Sequence, residues 1–195
     1  MWYNLYKVEA TEGGFKMEVK MLIENEKLES RPELAKKHGL SLFIRYKGEN
    51  ILFDTGDSGA FIDNADKMGV SIEDIDTVII SHGHYDHGGG LERFLRMNSK
   101  ARVFIHSKAR KNYYVKLPFK NKDISIPREV FYHYDKRITF MEETEELSKG
   151  LFLITDISKK EPWTKFAQRM LTKEEGRFVQ GWRLNYKRRE LDYMN

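Results

Sequence analysis

The sequence predicts an α/β fold, and three observations carry that reading. Short, β-branched apolar runs recur along the chain, with Thr77-Val78-Ile79-Ile80 and Arg102-Val103-Phe104-Ile105 the clearest. Between and beside them lie stretches with helical spacing, Phe61, Ala65 and Met68 in one and Leu91, Phe94 and Leu95 in the other. Strands alternating with helices in this way mark the α/β class.

Taken in order, Met17 to Ile23 alternates apolar and polar positions as a half-buried strand does. The residues before it read as a preceding strand or a loose extension. Ser30 with Glu33 three positions on reads as a capping box for a short helix through Lys37, stopped near Gly39. Leu40 to Tyr46 and Asn50 to Phe53, joined by Lys47-Gly48-Glu49, form an expected hairpin that runs into Asp54-Thr55-Gly56. A helix over Gly59 to Met68 is stopped by Gly69. Thr77 to Ile80 has the continuous apolar character of a strand buried on both faces. A histidine-rich loop comes next, and a helix begins near Gly90. Arg102–Ile105, Arg137–Phe140 and Leu151–Ile154 read as further inner strands. Glu142, Glu143, Glu145 and Glu146 between the last two read as a solvated acidic turn. Beyond Lys159 the pattern is poor.

The bulk numbers suit one folded domain over residues 1–195. A 40% hydrophobic and 13% aromatic content is that of a globular chain rather than a disordered one. There is no cysteine, which excludes disulfides, thiolate metal sites and cysteine nucleophiles together. No apolar run approaches the roughly 18 residues that span a bilayer. No secretory signal opens the chain, so a cytoplasmic location and no membrane partner are expected. The net charge of +4 is unevenly spread: Lys100 to Lys122 holds eight Lys or Arg and no acid. Phe104, Tyr113, Tyr114 and Phe119 are interleaved with these cations. That is a patch for an anionic ligand or, more plainly, a solvated helix and loop.

The chemistry sits in Ser81-His82-Gly83-His84-Tyr85-Asp86-His87. Three histidines and an aspartate fall within six positions, between a buried strand and a helix that hold the loop at both ends. His82 and His84, two apart in an extended loop, can turn their imidazoles to one side and share a metal. Asp86 and His87 can serve a second. Imidazole and carboxylate donors suit zinc, and iron or manganese as well. His38, expected at a helix end, needs no further role.

This loop resembles the His-x-His-x-Asp-His signature of the metallo-β-lactamase superfamily. Ile51-Leu52-Phe53-Asp54-Thr55-Gly56 resembles that family's preceding strand and turn. From Gly39 through Gly90 the chain is most similar to the branch that includes dihydropterin-methyl-(ribofuranosyl)aminobenzene-phosphate synthase. The resemblance implies an αβ/βα sandwich with metals at one edge of two sheets. It assigns His82 and His84 to the first metal, and Asp86 and His87 to the second. It implies hydrolysis of a small, anionic substrate by a hydroxide between up to two divalent ions, zinc first, with Asp86 also accepting a proton. Asp54 then braces the loop rather than binding metal.

The resemblance also implies ligands that this chain does not supply. The family's later half gives each metal a further histidine and adds a bridging carboxylate, whereas His106 and His133 are the only histidines downstream of the loop. His133 reads as structural, and His106 as a weak candidate for the site. The chain therefore reads as mainly the N-terminal half of the sandwich: a truncated or split product, a complete chain that has lost catalysis, or one whose missing half a partner chain provides. The alternative is a non-catalytic metal-binding domain derived from such an enzyme. A half-sandwich exposes an apolar face, so a homo-oligomer is expected. Nucleases of the superfamily carry an inserted domain that 195 residues do not accommodate, so nucleic acid is not the expected partner.

Overall fold

Alternation over Met17–Ile23 becomes β2 (Phe15–Ile23), which pairs antiparallel with β1 (Lys7–Glu12) on one side and β3 (Ser41–Tyr46) on the other. The computed structural model describes residues 7–12, 15–148, 150–155 and 169–180. β3 returns as β4 (Glu49–Phe53) through Lys47 and Gly48, at φ 48° and 85°. Two left-handed residues give the turn a twist that matches the paired strands.

From β4 the sheet becomes parallel. Helix α1 (Ala60–Lys67) carries the chain to β5 (Thr77–Ile80). The single turn α2 (Tyr85–Gly88) and helix α3 (Leu91–Met97) carry it on to β6 (Arg102–His106). After a hairpin of β7 (Tyr113–Lys116) and β8 (Asn121–Asp123), the chain re-enters through α4 (Glu129–His133) as β9 (Ile138–Met141), parallel to β6. The seven-stranded order is β1-β2-β3-β4-β5-β6-β9.

The register explains the core. Leu52, Val78, Val103 and Ile138 lie in one row across four strands, so their side chains share a face. Phe61 and Ala65 of α1 and Leu91 and Phe94 of α3 are fully buried in the same apolar cluster as that row. Each large side chain so buried contributes roughly 1.5–3 kcal/mol. Val78, Ile79 and Ile80 are all buried, as the continuous apolar run requires of a strand covered on both faces. Because β4, β5 and β6 are parallel, their C-terminal ends, Phe53, Ile80 and His106, lie along one edge. Open α/β sheets place their ligand sites at such an edge.

The described residues fall into two compact units, one within Met1–Arg110 and Ser125–Ser158, the other within Lys111–Ile124 and Lys159–Asn195. The first holds the seven-stranded sheet and a ribbon of β10 (Glu145–Ser148) and β11 (Leu151–Leu153). The second holds a four-stranded antiparallel sheet, β8 and β7 beside β12 (Met170–Glu174) and β13 (Arg177–Gln180). Among the described residues no helix is long and apolar enough to cross a membrane.

Several expectations are corrected. No helix covers Ser30–Lys37, which runs as turns. Glu33 engages Arg31 rather than capping Ser30, and the Asn64 side chain takes both the N–H and the C=O of Ala35. Those backbone groups are then not available to a helix. Among the described residues the apolar segment at Arg137–Phe140 is an edge strand, β9, and not an inner one. Among the described residues Leu151–Leu153 pairs with β10 alone and leaves Phe152 and Ile154 exposed, so it is no inner strand either. Glu145 and Glu146 belong to β10 and not to a turn; both stay exposed, although as neighbours in a strand they point to opposite faces. Past Arg110 the basic segment forms a hairpin rather than a helix. The patternless C-terminal stretch yields β12 and β13; residues 159–168 and 181–195 lie outside the described residues.

Candidate metal centre

Asp54 ends the strand β4 in the left-handed region (φ 59°) with its side chain fully buried. A non-glycine residue holds that conformation only when its surroundings fix it. Here they do. Its N–H donates to Ile79 O at 2.9 Å, and its carboxylate accepts from Ser81 N–H (2.8 Å), Ser81 Oγ–H (2.8 Å) and His87 Nδ1–H (2.7 Å). The neighbouring turn completes the clamp: Thr55 N–H and Oγ1–H both donate to His87 O, and Gly89 N–H donates to Gly56 O. On the far side Gly83 O accepts from Ile126 N–H. The histidine loop is thereby fixed from both ends and both flanks.

This clamp decides which ring nitrogens carry protons. Ser81 Oγ has one proton and gives it to Asp54, so at 2.9 Å it accepts from His82 Nδ1–H. His82 therefore presents a bare Nε2, which faces His84 Nδ1 at 3.1 Å. His87 donates through Nδ1 to Asp54 and so presents a bare Nε2 in its neutral form, 3.6 Å from Asp86 Oδ2. Two nitrogens bound at about 2.0–2.1 Å to one tetrahedral zinc stand roughly 3.3 Å apart. The first pair matches that separation and the second is slightly wider.

Electrostatics agree with the geometry. Burial, with the neighbouring imidazoles of His84 and His87, pushes His82 down to about 3. Burial also lowers His84, against the pull of Asp86 and with that of His87. Burial works against the charged form of His87 too, but the Asp54 hydrogen bond and the charges of Asp54 and Asp86 outweigh it and raise its pKa. At neutral pH the His82 and His84 rings are thus neutral, the form that coordinates metal.

The test of fit has a divided answer. The donor chemistry fits a divalent ion: bare imidazole nitrogens, a carboxylate, and the histidine–carboxylate bracing that metal-binding imidazoles commonly have. Asp57 Oδ1, just beyond the Asp54 turn, is buried without a hydrogen-bond partner, as an acceptor kept for an external donor or cation is. The number of donors does not fit. Among the described residues no three His, Asp or Glu side chains converge as a group able to hold an ion. His106, at the end of β6, turns Nδ1 to Lys108 N–H and joins no such group. His133 is exposed on α4.

Sequence reasoning passed over Ser81 as the relay between Asp54 and His82, and gave His38 no role beyond a helix end. There is no helix end at His38. Its Nε2 lies 3.4 Å from Asp86 Oδ2, and its Nδ1 lies 2.9 Å from Asn25 Oδ1. Nothing in the local sequence signals a contact between positions so far apart in the chain.

Comparison with known proteins gives a consistent picture. The family model described as the metallo-beta-lactamase superfamily matches residues 36–150. An uncharacterized protein of Methanocaldococcus jannaschii is 25% identical over 138 residues, 69% of this chain and 51% of its own length. The same organism's 7,8-dihydropterin-6-methyl-4-(beta-D-ribofuranosyl)-aminobenzene-5'-phosphate synthase is 33% identical over 76 residues, 36% of this chain and 26% of that one. The crystal structure of Tm1679, a metal-dependent hydrolase of the beta-lactamase superfamily, superimposes with a TM-score of 0.63 at 26% identity, covering 84% of this chain and 56% of that one. The chain spans about half the length, or less, of the relatives it matches.

Proposed function

The chain belongs to the metallo-β-lactamase superfamily, and we propose that it is a hydrolase-type domain that works on a small anionic substrate with a divalent metal, zinc first. The observation that carries this reading is the bracing of the loop, in which Ser81 leaves His82 Nε2 bare toward His84 and Asp54 holds His87 by Nδ1, so that its Nε2, bare once the ring is neutral, faces Asp86. His82 and His84 would hold one ion, and Asp86 and His87 a second. A metal there supplies Lewis acidity and activates water. The chain's own residues do the rest: Asp54 fixes the rings, and Asp86 takes up at its carboxylate the proton that water gives up on attack. Lys108 and Arg110 come after β6 at the sheet edge shared with the loop, which favours an anionic substrate.

A second reading, a metal-binding domain without turnover of its own, is favoured by the count of two donors at each position among the described residues. Catalytic zinc sites have three protein ligands as a rule. The two readings separate in one experiment. Metal-free protein is titrated with zinc, and turnover of phosphodiester, lactam and thioester probes is then measured. Zinc should bind and raise the unfolding temperature; His82→Ala with His84→Ala should remove that uptake at the first position. Turnover should be negligible for this 195-residue chain. Robust turnover lost in His84→Ala would establish the hydrolase and remove the second reading. No uptake of zinc, manganese or iron would sink both.

A further inference from the structure

The two compact units carry opposite charge. The smaller, residues 111–124 and 159–195, holds fourteen Lys or Arg against six Asp or Glu, a net charge of +8. The chain as a whole is +4, so the larger unit is −4. Charge segregated to this degree marks a part of a molecule that meets polyanions. From this charge and from the side chains on the small unit's sheet, we propose that one face of β13-β12-β7-β8 binds single-stranded nucleic acid.

The register sorts the side chains by face. Tyr114 of β7 lies opposite Leu171 of β12 and Asp123 of β8. Two positions along, Lys116 lies opposite Asn121, and Lys173 lies opposite Phe178 of β13. Facing partners and next-but-one neighbours share a face, so Tyr114, Lys116, Leu171, Lys173 and Phe178 stand on one side. Tyr113 and Thr172 pair on the other side, where Thr172 is buried. The aromatic side is the open one: Phe178 is 45% exposed, and Lys116 and Lys173 are exposed.

Tyr114 and Phe178 meet edge to face, with ring centroids 4.9 Å apart, and this contact orients the Phe178 ring. Lys173 Nζ lies 5.9 Å from the centroid of that ring. A ring for a base, with a cation beside it for the neighbouring phosphate, is how proteins hold single strands, since every base has a π face. Arg169 donates Nε–H and Nη2–H to Lys116 O, at 3.3 and 3.1 Å, and so adds a second charge at the Lys116 end. Among the described strand residues one acid, Asp123 on the edge strand β8, shares the face.

An anionic bilayer is the competing polyanion. It would engage the tip of the β7–β8 hairpin, where Phe119 is fully exposed. Rings spread over two strands of an open sheet face suit bases strung along a backbone instead. The face is a place to bind and not to cut, so it needs no inserted nuclease domain.

The test is fluorescence anisotropy of a labelled, mixed-sequence single strand of about 16 nucleotides with the full chain, over a range of salt. The wild type is expected to bind, with affinity falling as salt rises. Phe178→Ala is expected to weaken binding about tenfold and Phe178→Tyr to restore it, because stacking needs the ring. Lys116→Glu with Lys173→Glu is expected to weaken binding and flatten the salt dependence. That pair touches only exposed side chains, so it reads the face even where Phe178→Ala disturbs the Tyr114 contact. No binding at low salt would overturn the proposal. Equal affinity in Phe178→Ala and the wild type would overturn it too, leaving charge alone. Preference for phosphatidylserine-containing vesicles over the strand, lost in Phe119→Ala, would overturn it in favour of a membrane surface.

Discussion

His82 and His87 lie five positions apart in one loop, yet their protons are governed in opposite senses. His87 is raised because the charge of Asp54 outweighs burial, whereas His82 meets that carboxylate only through a hydroxyl and is left with burial and like neighbours. A metal at His87 must displace the proton from Nε2 that the raised pKa retains, while His82, already neutral above about 3, costs nothing at neutral pH. Uptake at Asp86 and His87 should therefore strengthen as pH rises through His87's elevated pKa, above the ordinary histidine value of 6.5, with up to one proton released per ion. Calorimetry in buffers of different ionisation enthalpy measures that proton. Asp54→Asn should move the midpoint of the pH dependence down and lower stability, since one acceptor of a fully buried three-bond carboxylate is lost. For the metal-free fold the signs are opposed. His82, depressed on folding, costs stability as pH falls from 6.5 toward about 3. His87, raised on folding, contributes stability that is present below 6.5 and lost as pH rises through its own pKa. A midpoint unmoved in Asp54→Asn would show that Asp54 does not set the proton on His87.

At the scale of elements, the glycines after the loop do different jobs. Gly90 caps α3 with an ordinary φ of −83°, so alanine there is allowed by the backbone. Space forbids it: the added Cβ would lie 2.4 Å from Ser58 O and 2.5 Å from Thr55 O, both backbone atoms of the turn that carries Asp54. At Gly88 the obstacle is the tip of the Ile126 side chain, which can rotate. Gly90→Ala should therefore destabilise by about 2–3 kcal/mol and Gly88→Ala by less, as read by urea unfolding. Equal effects would mean that the Asp54 turn is not packed rigidly on the start of α3. This distinction was not legible in the sequence, which shows only three consecutive glycines. What was legible were elements whose side chains declare their surroundings. Thr77–Ile80 is apolar throughout because both of its faces are covered, and Phe61 and Ala65 repeat at helical spacing because one face of α1 meets the sheet. The helix expected over Ser30–Lys37 failed because a distant residue, Asn64, took the hydrogen bonds of Ala35, and no local pattern reports that. The histidine loop was legible as a donor cluster, whereas the tautomers that make it one depend on Asp54, which sits 27 positions before Ser81.

At the scale of the whole molecule, the seven-stranded sheet carries the loop at one edge, and the chain spans about half the length, or less, of the relatives it matches. The edge position of β9 and the separate pairing of β10 with β11 were hidden because an apolar run does not say which neighbours will cover it. The small sheet of β7, β8, β12 and β13 was hidden because its strands are short and set apolar beside charged residues without a clear alternation. The fold delivers a rigid donor loop that, among the described residues, brings two donors to each position and not three. The central claim is that this loop is a metal site, and the most direct measurement of it is the anomalous scattering of a zinc-soaked crystal at the zinc absorption edge. Density is expected within coordination distance of His82 Nε2 and His84 Nδ1, partial in occupancy, with a second peak beside Asp86 and His87 at higher zinc. Zinc found only at surface sites, with His82 Nε2 and His84 Nδ1 still in direct contact, would contradict it.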